Sequence, residues 1–260
     1  MINDNCACNG VNETSEIFSC YCSDGSVLAG RCQWFPNNCY QLRGHGINKS
    51  GIYIIQTPRQ LPIEVYCDMD TDNGGWTVFQ RRLNEDFDFK RDWAGYESGF
   101  GKLNADFWLG NEKLYHMTES KLYMLRIDME TNDKRKLVTT YDNFKIGQAS
   151  ENYRLKSLGT YSGTEELPYA MTCHENMSFS TYDRDNDRAA TRNCADVTSS
   201  GWWFNGGPGD TSCYGNKCKE VNLNGQYHSQ YIGSAIVWTD NIRISFSEMK
   251  IRPYQDQNLT

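Results

Sequence analysis

The 260-residue chain has no excess of positive charge, no long apolar run, no Cys-x-x-Cys pair and no recognisable catalytic motif. Lysine and arginine number 26 against 33 aspartates and glutamates, a formal net charge of −7. The electrostatic footprint that phosphate backbones or anionic membranes require is therefore missing, and nucleic-acid binding is a poor expectation. The longest apolar stretches, such as residues 235–238, are a handful of residues, far short of the roughly 20 that span a bilayer, so no membrane insertion is expected. No heptad segment is present, so a coiled-coil stalk is not written into these residues. Met1 is followed by Ile2, Asn3, Asp4 and Asn5 with no apolar signal segment; a native signal peptide is expected to have been removed or replaced.

Catalytic signatures are missing too. There is no Gly-x-Ser-x-Gly elbow, no phosphate-binding Walker loop and no Gly-x-Gly-x-x-Gly, and His174-Glu175 lacks the second histidine of a zinc-protease helix. Only four histidines occur, His45, His116, His174 and His228, and none stands in a nucleophile and orienter arrangement. Each reads as a surface or hydrogen-bonded structural residue. Binding without turnover is the leading class, and an enzyme is not expected.

What the chain does have is cysteine, eleven in all. Without metal or redox spacings to account for them, disulfides formed in an oxidising, extracellular compartment are the default. Four Asn-x-Ser/Thr sequons, at Asn12, Asn48, Asn176 and Asn258, agree with a secreted route. Cys6, Cys8, Cys20, Cys22 and Cys32 crowd a stretch poor in apolar residues, which bridges rather than a core must hold. From Cys39 onward strand-like runs and aromatic clusters take over, so the chain divides into a cysteine-rich segment, 1–37, and a main domain, 38–260. The main domain carries an even number of cysteines and the segment an odd one. One N-terminal thiol is left to join a second chain, or has lost its partner to truncation.

Within the main domain residues 52–56, 63–69 and 76–82 read as strands, with Asn73-Gly74 supplying the positive φ angles of a tight hairpin. Phe107-Trp108-Leu109-Gly110-Asn111 followed by Glu112-Lys113-Leu114-Tyr115 suggests short helices broken by a glycine, with Asn111 as N-cap. Leu125, Ile127 and Met129 alternate with Arg126, Asp128 and Glu130, the period of a half-buried strand, and Ile242, Ile244 and Phe246 repeat it. From about 162 to 229 the periodicity disappears. Roughly 65 residues without regular structure need a source of order other than periodic packing, and cross-links and a bound ion are the candidates.

Asp183-Arg184-Asp185-Asn186-Asp187 alternates carboxylates as a loop does when it wraps oxygens around a hard divalent cation. An EF-hand would next need glycine and glutamate where Arg188 and Cys194 stand, so that reading fails. A solvated acidic loop is the bland alternative; the position of the run in an irregular, cysteine-flanked region favours calcium. Gly201-Trp202-Trp203-Phe204 offers flat apolar faces suited to sugars or acetyl groups. For Trp202 and Trp203 core packing is the readier role, and Phe204, at the edge of a glycine-rich loop, is the ambiguous ring.

Taken together, Asn38-Cys39, Val65-Tyr66-Cys67-Asp68-Met69, Gly74-Gly75-Trp76-Thr77-Val78, Phe107-Trp108-Leu109-Gly110-Asn111, Phe179-Ser180-Thr181, Asp185-Asn186-Asp187, Asn193-Cys194-Ala195, Gly201-Trp202-Trp203 and Asn222-Leu223-Asn224-Gly225 resemble the fibrinogen-related domain of fibrinogen chains, ficolins, tachylectins and angiopoietins. The resemblance implies an α+β fold: a twisted antiparallel sheet, short helices and a loop-rich subdomain for calcium and ligand. It pairs Cys39 with Cys67 and Cys194 with Cys218, leaving Cys173 and Cys213 to bridge an insertion at about 206–217. It places calcium on Asp185 and Asp187 with the carbonyls of about Ala189 and Thr191. It maps a ligand pocket onto Phe204, Lys219 and about Tyr231, shaped by a cis Lys217-Cys218 bond. Phe204 stands where the family has tyrosine and Lys219 where it has histidine, which leaves acetyl specificity open and suggests acidic glycans.

The expectation is a secreted, calcium-dependent, lectin-like protein that binds acetylated or acidic glycans on cell surfaces in innate immunity and gains strength as a homo-oligomer. The alternative is a protein-binding module docking a receptor or matrix partner. If the odd N-terminal thiol joins two chains, a non-reducing gel of the full chain shows a dimer or larger species that reductant collapses to one band; a single monomer band under both conditions removes the covalent oligomer.

Overall fold

The structure is a computed structural model and describes residues 6–8, 18–22, 27–30, 35–57, 61–85, 87–164, 167, 170–207, 218, 221–230, 232–239 and 241–254. The chain separates into two compact units between Phe35 and Pro36. In the first, β1 (Cys6–Cys8), β2 (Phe18–Cys22) and β3 (Val27–Gly30) form an antiparallel sheet in that order. How the five cysteines of this unit pair lies outside the described residues.

The second unit opens with α1 (Cys39–Gly44), capped by Asn38, whose side chain accepts the Gln41 backbone N–H at 3.0 Å. There follow β4 (Gly51–Ile55), β5 (Ile63–Asp68), β6 (Trp76–Arg82), α2 (Trp93–Ser98), β7 (Phe100–Gly101), β8 (Phe107–Trp108), α3 (Asn111–Thr118), β9 (Tyr123–Thr131), β10 (Lys136–Tyr141), β11 (Lys145–Ile146), β12 (Leu155–Ser157), β13 (Tyr161–Gly163), α4 (Cys194–Thr198), β14 (Val237–Thr239) and β15 (Ile242–Pro253). The main sheet runs β13-β10-β9-β15-β6-β5-β4, with β8 on β6 and β14 on β15, and each of these pairings is antiparallel. With α1 to α4 around it the fold is α+β.

Between β5 and β6 the chain takes positive φ at Asp72, Asn73, Gly74 and Gly75, a wider turn than a two-residue hairpin. In β9 the buried residues are Tyr123, Leu125, Ile127, Met129 and Thr131, a strict alternation. The same period fails in β15. A bulge between Ile244 and Phe246 shifts the register, so Ile244 is buried while Phe246 is only half-buried. Residues 107–111 also differ from a broken helix. Phe107 and Trp108 pair with Arg81 and Gln80 of β6 as a strand, Gly110 turns the chain at φ +115°, and Asn111 is the first residue inside α3, not its cap. The cause is lateral: β6 is a fully buried strand whose ladder is completed by those two aromatics.

One face of the sheet buries a charge network. Lys250, 2% exposed, reaches Asp68 at 2.6 Å, Asp128 at 2.8 Å and Glu248 at 2.9 Å. Glu248 also takes Arg81 at 2.5 Å, and Asp128 takes Arg126 at 2.8 Å. Burial opposes ionisation of the Asp68 carboxyl, yet the Lys250 ammonium outweighs it and holds the group down at about 2. Asp68 also accepts the backbone N–H groups of Asp70 and Thr71, which shapes the turn into β6. The Cys39–Cys67 disulfide ties α1 to β5 beside this network. In the chain-entropy model such a loop contributes about 3 kcal/mol.

Lys250→Met leaves three carboxylates facing one another without their shared cation and is expected to cost about 3–5 kcal/mol in urea unfolding. Lys134→Met, which removes an exposed pair with Glu130, is expected to change little.

Candidate functional site

The irregular region from about 162 to 207 is not held apart from the core. Met171, Met177, Phe179, Cys194, Ala195, Trp202, Trp203 and Phe204 are all buried in the single hydrophobic cluster that includes Trp108 and Leu125. Phe179 lies 5.2 Å from Trp203, 5.9 Å from Trp108 and 5.1 Å from Tyr96, ring centre to ring centre, and Trp108 lies 6.0 Å from Trp203. The Trp203 indole N–H donates to the Tyr153 carbonyl at 2.7 Å, and the Tyr96 hydroxyl accepts the Gly201 N–H at 3.0 Å. Position 201 must be glycine, because a Cβ there would lie 2.5 Å from the Tyr96 ring. The expectation that apolar packing has no part in ordering this region is corrected: aromatic rings spread thinly through the sequence, with no local period, converge in space.

On this base sits the acidic run. Its carboxylates do not act alike. Asp183 accepts the Trp93 backbone N–H at 2.9 Å and the Thr181 hydroxyl at 2.7 Å, which fixes the loop to the start of α2. Arg184 lies 4.0 Å over the Trp93 ring and donates to the Asn152 side chain at 3.0 Å. Asp187 accepts the Ala189 N–H on one oxygen and the Cys194 N–H on the other, each at 2.7 Å, and its own N–H donates to Asp185 at 3.2 Å. Burial, two backbone N–H groups opposing it and the Asp185 carboxylate adding to it, pushes the Asp187 carboxyl above its ordinary value. A half-buried carboxylate with an exposed one beside it is an arrangement a cation relieves, and the hard oxygen donors suit calcium. Among the described residues no three His, Cys, Asp or Glu side chains converge as a metal centre. Calcium here would rest on Asp185 and Asp187 with backbone carbonyls and water, and the residues present fit such a site.

Two residues named in the sequence motifs but given no role there complete the loop. Asn193 caps α4 by accepting the Asp196 N–H at 3.2 Å while its amide donates to the Thr181 and Tyr182 carbonyls. Asn186 donates to the Phe179 carbonyl at 2.8 Å. Asn193 directly before a cysteine and a helix was the legible cap signal.

The residues of the expected sites fall as follows. Asp185 and Thr191 are exposed, and Asp187 and Ala189 half-buried. Phe204 is 2% exposed and its ring belongs to the core cluster. Asn205 donates to the Cys173 carbonyl at 3.2 Å and accepts the Arg188 N–H at 3.2 Å, which sets the 204–207 segment between Cys173 and the acidic loop. Cys194 and Cys218 are joined. Cys173 is disulfide-bonded, and Cys213 lies outside the described residues. Lys217, Lys219 and Tyr231 lie outside them as well, and with Lys217 the Lys217-Cys218 bond; no cis peptide occurs among the described residues. Trp202 and Trp203 are fully buried.

The fold is a sheet domain carrying a loop region packed on an aromatic core. The family "Fibrinogen beta and gamma chains, C-terminal globular domain" matches residues 35–254, and the chain belongs to it. It is 40% identical over 230 residues to fibrinogen-like protein A of Apostichopus parvimensis, covering 84% of this chain and 76% of that protein. It is 38% identical over 250 residues to tenascin-R of Gallus gallus, covering 94% of this chain but 17% of that much longer protein. Among solved structures, the fibrinogen-like globe domain of human ANGPTL2 superposes with a TM-score of 0.75 at 33% identity, over 85% of this chain and all of that one. A lamprey fibrin D-dimer complexed with the peptide ligand Gly-His-Arg-Pro-amide superposes with a TM-score of 0.71 at 29% identity, over 86% of this chain and 78% of that one. These relatives are non-enzymatic recognition modules.

His174 links this region to the core. It is buried and donates from Nδ1 to the Trp203 carbonyl at 2.7 Å, and burial pushes its pKa down to about 4. A histidine kept neutral in the fold but free to charge near 6.5 when unfolded contributes stability that is complete above pH 6.5 and is lost as pH falls toward 4. Unfolding free energies from urea titrations between pH 7.5 and 4.5 are expected to fall, His174 contributing at most about 1.4 kcal/mol per pH unit. His174→Asn is expected to flatten that slope. An unchanged slope in the variant assigns the acid sensitivity elsewhere.

Proposed function

We propose that the protein is a secreted recognition module whose loop region, ordered at its centre by calcium on Asp185 and Asp187, binds acetylated or acidic glycans. The observation that carries this reading is the Asp187 carboxylate: the loop folds around it through the Ala189 and Cys194 N–H groups, and Asp185 stands beside it. Bound calcium would supply the positive charge that two adjacent carboxylates lack. What the chain's own residues do is positional. Asn193, Asp183 and the Cys194–Cys218 bridge hold the loop against the aromatic core, so little ordering remains to be done when a ligand arrives. Lys217 and Lys219 flank Cys218 in sequence, and two ammonium groups there favour an anionic group over a neutral sugar. Disulfides in the described structure and the absence of any helix there long and apolar enough to cross a membrane are compatible with secretion.

A second reading has its own support. Phe204 is buried in the core cluster, and the lamprey fibrin relative holds a peptide. The same loop region would then take a protein or peptide partner, as a receptor or matrix module.

Calorimetric titration of the full chain with N-acetylglucosamine, sialic acid, acetate and Gly-His-Arg-Pro-amide, each with calcium and with a chelator, separates the two. The glycan reading expects sialic acid or the acetylated sugar to bind in calcium and to lose at least tenfold in affinity in chelator or in Asp187→Asn. Binding of the peptide alone supports the second reading. No binding by any of the four, or binding indifferent to chelator, overturns the calcium-dependent lectin.

A further inference from the structure

We propose that Asn48 carries an N-linked oligosaccharide that shields the outer edge of the main sheet. Strand β4 closes the strand order among the described residues, so the ladder is unpaired on its outer side. Its solvent face presents Ile52 at 46% exposure and Ile54 at 45%, with Leu61 at 77% in the connection to β5. An open, apolar strand edge is a template for pairing with another chain, and folded proteins blunt it with charge, proline or a bulge. Strand β4 has none of these: residues 51–55 are Gly-Ile-Tyr-Ile-Ile, and their register with β5 is unbroken. Short segments rich in β-formers, uncharged and lacking proline are those that aggregate.

The chain directly before β4 supplies a cover. Asn48-Lys49-Ser50 is an acceptor sequon. Asn48 is exposed; its Oδ1 accepts Arg43 Nη1 at 2.9 Å, and Nδ2, the atom that takes the sugar, has no partner among the described residues. Ile52 lies four positions further along, at most about 14 Å of extended chain, within the sweep of an attached oligosaccharide. Asn38, Asn111, Asn205, Asn222 and Asn224 are buried and none begins a sequon, whereas the two sequon asparagines within the described residues, Asn48 and Asn176, are both exposed. In the fold Ser50 is engaged, donating to Asp70 at 2.5 Å and accepting the Met69 N–H at 2.8 Å, so transfer precedes folding of this corner. The donor is a lipid-linked oligosaccharide diphosphate. The Nδ2–C1 bond forms as the C1–O bond to the diphosphate breaks, and the proton lost from the amide is taken up on the departing diphosphate side, with no change of oxidation state.

This inference rests on the secreted reading, because only the secretory route supplies that donor; it does not depend on calcium or on the ligand. The full chain is secreted from eukaryotic cells, treated with peptide N-glycosidase in heavy-oxygen water, digested and weighed by mass spectrometry. The Asn48 peptide is expected to carry the heavy-oxygen aspartate. In light scattering, Asn48→Gln is expected to self-associate at several-fold lower concentration than the wild type. Adding Ile54→Lys to that variant is expected to restore it, while Ser178→Ala, which removes only the Asn176 sequon, behaves as wild type. An unlabelled Asn48 peptide overturns the site, and an Asn48→Gln protein as monodisperse as the wild type overturns the shield. Failure of every sugar titration with a labelled Asn48 would sink the lectin reading alone.

Discussion

Contact between Phe179 and the rings of Trp203, Trp108 and Tyr96 is the constraint on which the loop region depends. The three partners come from a glycine-rich loop, a two-residue strand and a short helix, none of which has enough local structure to hold a ring in place. Large rings bury much apolar surface, and edge-to-face contacts add about 0.5–1.5 kcal/mol per pair beyond burial. Each ring also brings backbone with it: Trp203 binds the Tyr153 carbonyl, and Tyr96 binds Gly201. The acidic loop is the next layer outward, joined to this base by Asp183 on the Trp93 N–H and by Asn186 on the Phe179 carbonyl. A carboxylate pair can be held close in such a loop only because packing beneath it has already removed its freedom.

The sheet solves a different problem. Its central strands β6, β9 and β15 bury one apolar face and, on the other, a lysine with three carboxylates. The network spans residues from 68 to 250, so it closes the C-terminal strand into the middle of a sheet begun by the N-terminal hairpin. Polar groups then carry the sheet into the loop region: Gln80 of β6 donates to the Leu223 carbonyl at 3.0 Å and to Asn224 at 3.2 Å, and Arg82 donates to the Gly225 carbonyl at 2.7 Å. Buried side chains so fully engaged favour one arrangement of the strands over near alternatives. At the opposite margin, β4 has no such partner, and its protection has to come from outside the ladder.

Strands 52–56, 63–69 and 76–82 were legible to within a residue because each is bounded by turn formers and rich in β-branched or aromatic side chains. The alternation of Leu125, Ile127 and Met129 was legible for the same physical reason, a half-buried surface. Residues 107–111 misled, since a run of apolar residues does not say whether its ladder partner is itself or a strand thirty residues away. Phe246 misled because a bulge adds one residue and so turns every later side chain to the other face. At the candidate site the acidic run stood out by its alternation and the resemblance singled out Asp185 and Asp187 within it, but the separate duty of Asp183 was not legible, because Trp93 is distant in sequence.

Local pattern determined the strands of the first hairpins and the presence of an oxygen-rich loop, since each of these depends on neighbours within a few residues, and the α+β character followed from the resemblance of the ordered motifs to a known family. Which rings meet beneath that loop, which carboxylates face each other and which point away, that Phe204 is core, and that Lys250 sits among three acids depend on residues brought together from far along the chain. Those contacts come into being only when the strands close, because short-range preference has no term for a partner a hundred residues distant.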